Sequence, residues 1–122
     1  MAVGYFFDTY ALIEILRKNE KYGKFSETPL ITSLLNIGEL YYDFLKNGNK
    51  HEGMLFCGQL HGNCLNVTLE VIMKAVEFRF SNKSKNLSYI DCIGYVLAKD
   101  NGLIFVTGDN AFEGMDNVEF VK

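Results

Sequence analysis

Two short, continuous apolar runs constrain this chain more than anything else in it. Val3-Gly4-Tyr5-Phe6-Phe7 ends on Asp8, and Leu103-Ile104-Phe105-Val106 leads into Thr107-Gly108-Asp109-Asn110. Each run is followed at once by an acid and a helical pattern. Runs of this kind read as buried parallel strands, and parallel strands deliver the residues after them to one edge of the sheet. Two further acids lie in apolar helical stretches. Glu39 sits within Leu34-Leu35-Asn36-Ile37-Gly38-Glu39-Leu40-Tyr41-Tyr42, and Asp91 opens the stretch from Ser88 to Ala98. Carboxylates gathered at one edge repel one another unless a divalent cation neutralises them, and oxygen ligands select the hard ions Mg²⁺ or Mn²⁺.

The pattern along the chain alternates strands with helices. Residues 2–7 predict a first strand, and Thr9 to Lys18 a helix with Leu12, Ile13 and Leu16 on one buried face and a Glu14–Lys18 pair along it. After a polar stretch from Asn19 to Thr28, Leu30-Ile31 follows the only proline as a short strand. Thr32 or Ser33 caps a helix to about Lys46, stopped by Asn47-Gly48-Asn49. A helix over His51–Leu60, a strand over Cys64–Val67 and a Thr68-capped helix over Leu69–Phe80 come next. In the last of these Leu69, Ile72, Met73, Val76 and Phe80 form an apolar stripe that predicts the core face. Ser81–Asn86 reads as a loop, Ser88–Lys99 as a helix leaving through Asn101-Gly102, Leu103–Val106 as the fourth strand, and Val118–Val121 as an edge strand beyond a short helix near Ala111. This alternation indicates an α/β sandwich with a mainly parallel sheet, in one domain spanning residues 1–122. The helix around Glu39 is apolar almost all round, which predicts burial on two sides and a second partner for it.

Composition narrows the function classes. A net charge of −3 is not that of a generally basic nucleic-acid-binding protein, so any RNA contact must come from local groups such as Lys83 and Lys85 or Arg17, Lys18, Lys21 and Lys24. Three cysteines without a C-x-x-C spacing argue against a disulfide framework and a zinc knuckle. Neither a signal-peptide pattern nor an apolar run of the ~20 residues needed to span a bilayer occurs, so a cytoplasmic protein without a membrane segment is expected. No Gly-x-Ser-x-Gly elbow or phosphate-binding glycine loop is present, and His51 and His61 flank a helix as surface residues.

Taken singly, Asp8, Asp109 and Asp91 each have a structural explanation as helix caps, Asp91 through a Ser88-x-x-Asp91 capping box. Gly94 and Ala98 keep the Asp91 side of its helix small, allowing close approach to a metal or another backbone. The joint order is harder to explain by capping. Phe-Phe-Asp8-Thr, Asn-Ile-Gly-Glu39-Leu, Asp91 heading a helix that ends in Asn-Gly, and Leu-Ile-Phe-Val-Thr-Gly-Asp109 together resemble a PIN-domain nuclease, in size and closing segment the VapC-type toxins. The resemblance spans essentially the whole chain, with no motif between about residues 47 and 86.

That resemblance implies a Rossmann-like three-layer α/β/α fold and a Mg²⁺- or Mn²⁺-dependent endoribonuclease acting on RNA. Asp8, Glu39, Asp91 and Asp109 match the family's metal-binding acids, and Thr107, and more loosely Thr9, its nearby hydroxyls. Asn110 stands where relatives often carry a base, and Asp116 is a candidate outer ligand. It also implies a homodimer, with Tyr41, Tyr42 and Phe56 in the helical layer as interface candidates, and a cognate antitoxin attracted by the acidic pocket. Two alternatives compete. One is a non-catalytic PIN-like scaffold or binding domain. The other is a haloacid-dehalogenase-like phosphatase, which requires a second Asp where this chain has Tyr10.

Overall fold

The computed structural model describes residues 3–122 and sets the two apolar runs side by side. Strand β1 (Gly4–Phe7) pairs in parallel with β4 (Leu103–Thr107), which pairs in parallel with β5 (Val118–Phe120). A second parallel pair joins β2 (Thr32–Ser33) to β3 (Cys64–Leu65). It meets β1 through a Phe6–Ile31 bridge and a bond from Phe7 N–H to the Ile31 carbonyl at 2.9 Å. The strands thus follow the order β3-β2-β1-β4-β5. Residue 2, counted in the first strand from sequence, lies outside the described residues. The Leu30-Ile31 strand lies two residues further on, because Ile31 supplies only the bridge and the ladder to β3 begins at Thr32.

The alternation within β1 and β4 explains why both runs are apolar throughout. Phe6 and Phe105 point to one face and stack at a centroid separation of 5.9 Å; Phe7 and Val106 point to the other. Helices α4 (Leu69–Ser81) and α5 (Tyr89–Asp100) cover the first face. On the second lie α1 (Thr9–Leu16), α2 (Leu34–Lys46), α3 (Lys50–Leu60) and a 3₁₀ segment, Glu20–Phe25, that contributes buried Tyr22 and Phe25. The result is the expected α/β/α sandwich. Caps fall where short polar side chains precede apolar periodicity: Asp8, Ser33, Thr68 and Ser88 each accept a backbone N–H of the helix they open.

Three local expectations are corrected. Helix α1 stops at Leu16 and Lys18 takes a left-handed φ of 58°, so the helical spacing that would pair Glu14 with Lys18 does not extend that far, and among the described residues they form no ion pair. The Leu69–Phe80 stripe is not the core face. Leu69, Ile72, Met73, Val76 and Phe80 are all exposed, Leu69 by 72%, while Val71, Ala75 and Phe78 pack inward. Small Ala75, fully buried, permits tight packing with α5, with Val71 and Phe78 beside it on the inner face. Gly94 serves packing within the core rather than metal approach, because a Cβ there would sit 3.1 Å from the Phe6 ring and 3.2 Å from the Phe105 ring.

The second face of α2 is covered in part by its own chain. Phe44 meets Phe56 of α3 at 6.3 Å between centroids and lies against Gly53, where a Cβ would come within 2.7 Å. Tyr42 and Leu45 on α2, and Met54 and Leu55 on α3, stay exposed. Cys57, Cys64 and Cys92 are free thiols. Among the described residues no helix is long and apolar enough to cross a membrane.

Candidate active site

Asp8 and Asp109 emerge from adjacent parallel strands at their carboxyl ends, beside the point where the strand order changes direction. In open parallel sheets the crevice for ligands forms there. Helix α5 brings Asp91 to the same crevice, a cavity of about 280 Å³ lined by Asp8, Thr9, Tyr10, Asp91, Gly108, Asp109, Asn110 and Lys122. Three of the four candidate acids thus share one cavity. The fourth, Glu39, is exposed on α2 outside that lining and is tied to it through Thr9.

Each acid in the cavity also caps a helical turn, so the structural and functional readings hold together. Asp8 Oδ1 accepts Ala11 N–H at 2.8 Å, and its Oδ2 accepts a short bond from the Thr107 hydroxyl. Thr107 Oγ1 in turn accepts Asp109 N–H at 3.0 Å. Asp91 Oδ2 accepts Ser88 N–H at 3.0 Å, completing the capping box, and Asp109 Oδ1 accepts Ala111 N–H at 3.0 Å. The other oxygens of Asp91 and Asp109 have no hydrogen-bond partner among the described residues.

Electrostatics single out Asp8. It is only 4% exposed, and burial pushes its carboxyl up to about 7 from 3.8. The bonds from Thr107 and Ala11 pull down, while the charges of Asp91 and Asp109 push further up. Burial also raises Asp91, against the two Ser88 bonds, with Asp109 adding to the rise. Two carboxyls raised by burial and by the charge of neighbouring acids are poised to gain from a cation. The donor set is all oxygen, which fits Mg²⁺ or Mn²⁺. Among the described residues no three acids form a ready-made cage.

A polar chain fixes Glu39. Ser33 Oγ donates to Asn36 Oδ1 at 2.6 Å, Asn36 Nδ2 donates to Thr9 Oγ1 at 3.1 Å, and Thr9 Oγ1 donates to Glu39 Oε1 at 2.6 Å. Thr9 is therefore the link between Glu39 and the cavity wall. Asn36, fully packed and central to this chain, escaped the sequence reading; its signal was the Ser33-x-x-Asn36 cap spacing. Tyr10, Gly108 and Lys122 also went unrecognised. A Cβ at Gly108 would lie 2.1 Å from the Tyr10 ring, so glycine there lets Tyr10 form the cavity wall.

Asn110 lines the cavity and accepts from Lys122 Nζ at 2.9 Å, which brings a cation to the position where Asn110 itself carries none. Asp116 lies apart. Its carboxylate is held by Lys99 at 3.1 Å and by the Tyr95 hydroxyl, Lys99 depresses its pKa, and it lines a different cavity. Both histidines are exposed, as expected.

Over residues 5–118 the sequence matches the family profile described as PIN domain. No curated protein sequence matches it. Three solved structures share the fold. A toxin–antitoxin complex from Klebsiella pneumoniae superposes with TM-score 0.77 at 21% identity, over 95% of this chain and 96% of that one. VapC20 of Mycobacterium tuberculosis, a Sarcin-Ricin loop cleaving toxin, gives 0.73 at 17% identity over 95% and 99%. PAE2754 from Pyrobaculum aerophilum gives 0.67 at 23% identity over 99% and 92%.

Proposed function

The chain belongs to the PIN-domain family, and on that premise we propose that it is a divalent-metal-dependent endoribonuclease of the toxin type. The observation that carries the reading is the convergence of Asp8, Asp91 and Asp109 on one cavity, with Asp8 desolvated between two other carboxylates. Capping accounts for each acid singly, but it does not require the three caps to open on one cavity. The haloacid-dehalogenase alternative lacks its second Asp, and Tyr10 in that place forms a wall of the cavity.

Asp8, Asp91 and Asp109 would hold Mg²⁺ or Mn²⁺, with Glu39 completing the set from α2. Such an ion, when bound, stabilises charge on phosphoryl oxygens and acidifies water. The chain's own groups do the rest. Thr107 donates to Asp8 and accepts from the Asp109 backbone, which fixes the two strand-end acids relative to one another. Thr9 and Asn36 orient Glu39 with Oε1 occupied, leaving Oε2 without a partner among the described residues to accept a proton from an attacking water. Lys122, held by Asn110, offers a phosphate contact. RNA cleavage in Mn²⁺, in EDTA, and by Asp8→Asn tests the assignment. Loss under both treatments is expected, and cleavage that survives both rejects it.

The toxin part of the reading brings partners. The antitoxin complex among the similar folds supports a small inhibitory protein. The acid cavity would attract its Arg or Lys, and the exposed apolar face of α4 would receive its apolar segment. Growth arrest on expression, relieved by a neighbouring reading frame, is the expected result; harmless expression of an active nuclease removes the toxin label alone. A homodimer is proposed through the open face of α2 and α3, where Tyr42 is 67% exposed. Light scattering should give twice the chain mass, and Tyr42→Lys should halve it. A monomer at every concentration excludes the dimer.

A further inference from the structure

The acid cavity creates a difficulty for an RNA-binding protein, because three carboxylates and a net charge of −3 both repel phosphate. Affinity beyond what Lys122 and a bound cation would supply has to come from another surface. Residues 79–89, Arg-Phe-Ser-Asn-Lys-Ser-Lys-Asn-Leu-Ser-Tyr, contain three cations and no acid. They form the end of α4, a 3₁₀ turn over Lys83–Lys85, and the start of α5. Among the described residues Arg79, Lys83 and Lys85 enter no ion pair.

The same segment exposes two aromatic rings. Phe80 is 68% exposed and Tyr89 53%. Cations sit over both: the Arg79 guanidinium is 4.4 Å from the Tyr89 centroid and Lys83 Nζ is 4.3 Å from that of Phe80. Single exposed aromatics are ordinary. Two of them paired with unneutralised cations in an acid-free segment are the combination that binds single-stranded nucleic acid, where bases stack on rings and cations follow the backbone. The segment is also held in place. Arg79 Nε donates to the Leu87 carbonyl at 2.8 Å, Asn82 Nδ2 donates to the Phe78 carbonyl at 2.8 Å, and Leu87 is buried.

Position ties this surface to the acids. Tyr89 is the first residue of α5, immediately after Ser88, whose backbone N–H bonds the Asp91 carboxylate. Tyr89 and Asp91 are two positions apart on α5, with Cα atoms at most about 7.6 Å apart; residues so spaced leave a helix on different faces, so what they share is the start of α5 and not a common side. Tyr89 is not part of the cavity lining, so the surface flanks the cavity rather than forming its wall.

We propose that the α4–α5 junction, through Tyr89, Phe80, Lys83 and Lys85, is a stacking platform that feeds single-stranded RNA to the acid cavity. This deepens the nuclease reading and rests on it for the direction of feeding. Binding by itself is separable from cleavage, and the experiment uses that.

A short labelled single-stranded oligoribonucleotide is titrated with the full chain in EDTA, and with the Asp8→Asn chain, with fluorescence anisotropy as the readout. Tyr89→Ala should weaken binding about tenfold, within the range for one stacked base, while Tyr89→Phe keeps affinity within about twofold. Lys83→Gln with Lys85→Gln should flatten the dependence of log Kd on log salt by about 1.4, some 0.7 per lost phosphate contact. Both rings and both lysines are exposed, so melting temperatures should stay unchanged. Unchanged affinity in Tyr89→Ala, equal loss in Tyr89→Phe, or no RNA binding at all overturns the platform. So does equal competition by duplex RNA or polyglutamate, which would assign the patch to charge alone. If the chain cuts RNA while Tyr89→Ala binds normally, the platform fails and the nuclease reading stands. If RNA binds through Tyr89 and no metal supports cleavage, the platform stands and the nuclease reading fails.

Discussion

Asp8→Asn should make the metal-free protein more stable at alkaline pH while removing its activity. Asp8 is buried, with its carboxyl raised to about 7 from 3.8. A group raised in the folded state binds its proton more tightly there than in the unfolded chain. Its contribution is therefore complete below pH 3.8 and is lost as pH climbs through about 7. A carboxyl raised from 3.8 to about 7 corresponds to roughly 4 kcal/mol once the titration is complete. By linkage about a third of this is already lost at pH 5, leaving the larger part to disappear between pH 5 and pH 8. Asparagine keeps an oxygen for the Ala11 N–H and carries no charge, but it takes the acceptor from the Thr107 hydroxyl, a cost of about 1 kcal/mol at every pH. The variant should therefore sit near wild type at pH 5 and be about 3 kcal/mol more stable at pH 8. At about 4 °C per kcal/mol, that is a melting temperature higher by ~12 °C. Thermal unfolding followed by circular dichroism in EDTA at the two pH values reads this directly. A difference between variant and wild type that is the same at both pH values would refute the argument that Asp8 is held against its charge.

Three further substitutions probe neighbouring parts of the account. Thr107→Val leaves Asp109 N–H and Asp8 Oδ2 each without a partner, so chemical denaturation should show a loss of about 2 kcal/mol and cleavage should fall with it. Gly94→Ala forces a methyl against the Phe6 and Phe105 rings and should cost about 1–3 kcal/mol in urea unfolding without touching the acids. Lys122→Gln removes the cation of the cavity wall; RNA affinity should become less salt-dependent by about 0.7 in log–log slope, while Lys122→Arg preserves it.

The parts of this molecule that follow local rules were legible in its sequence. Phe6-Phe7 and Phe105-Val106 had to be apolar on both sides because helices cover both faces of the sheet, and short polar residues before apolar periodicity marked the helix starts. The α4 stripe misled for a physical reason. Periodicity reports that a face is apolar, not what covers it, and the inner face of α4 is made by Val71, Ala75 and Phe78 while the longer apolar stripe faces outward. Strand-end placement sufficed to bring Asp8 and Asp109 together. The coupling of Glu39 to the cavity depends on Thr9 and Asn36 meeting across 27 residues, and the Lys122–Asn110 contact spans 12, so neither follows from local pattern. Asp116 illustrates the converse: its position in a loop said nothing about Lys99 and Tyr95, which engage it elsewhere.

The claim on which the nuclease reading depends is that the acid cavity holds a divalent cation. Calorimetric titration of the metal-free chain with Mn²⁺ at pH 8, beside Asp8→Asn and Asp109→Asn, addresses it without any substrate. Saturable binding by the wild-type chain, strongly weakened in both variants and unaffected by Asp116→Asn, is the predicted result. Absence of heat at millimolar Mn²⁺, or binding that both cavity variants retain, would contradict it.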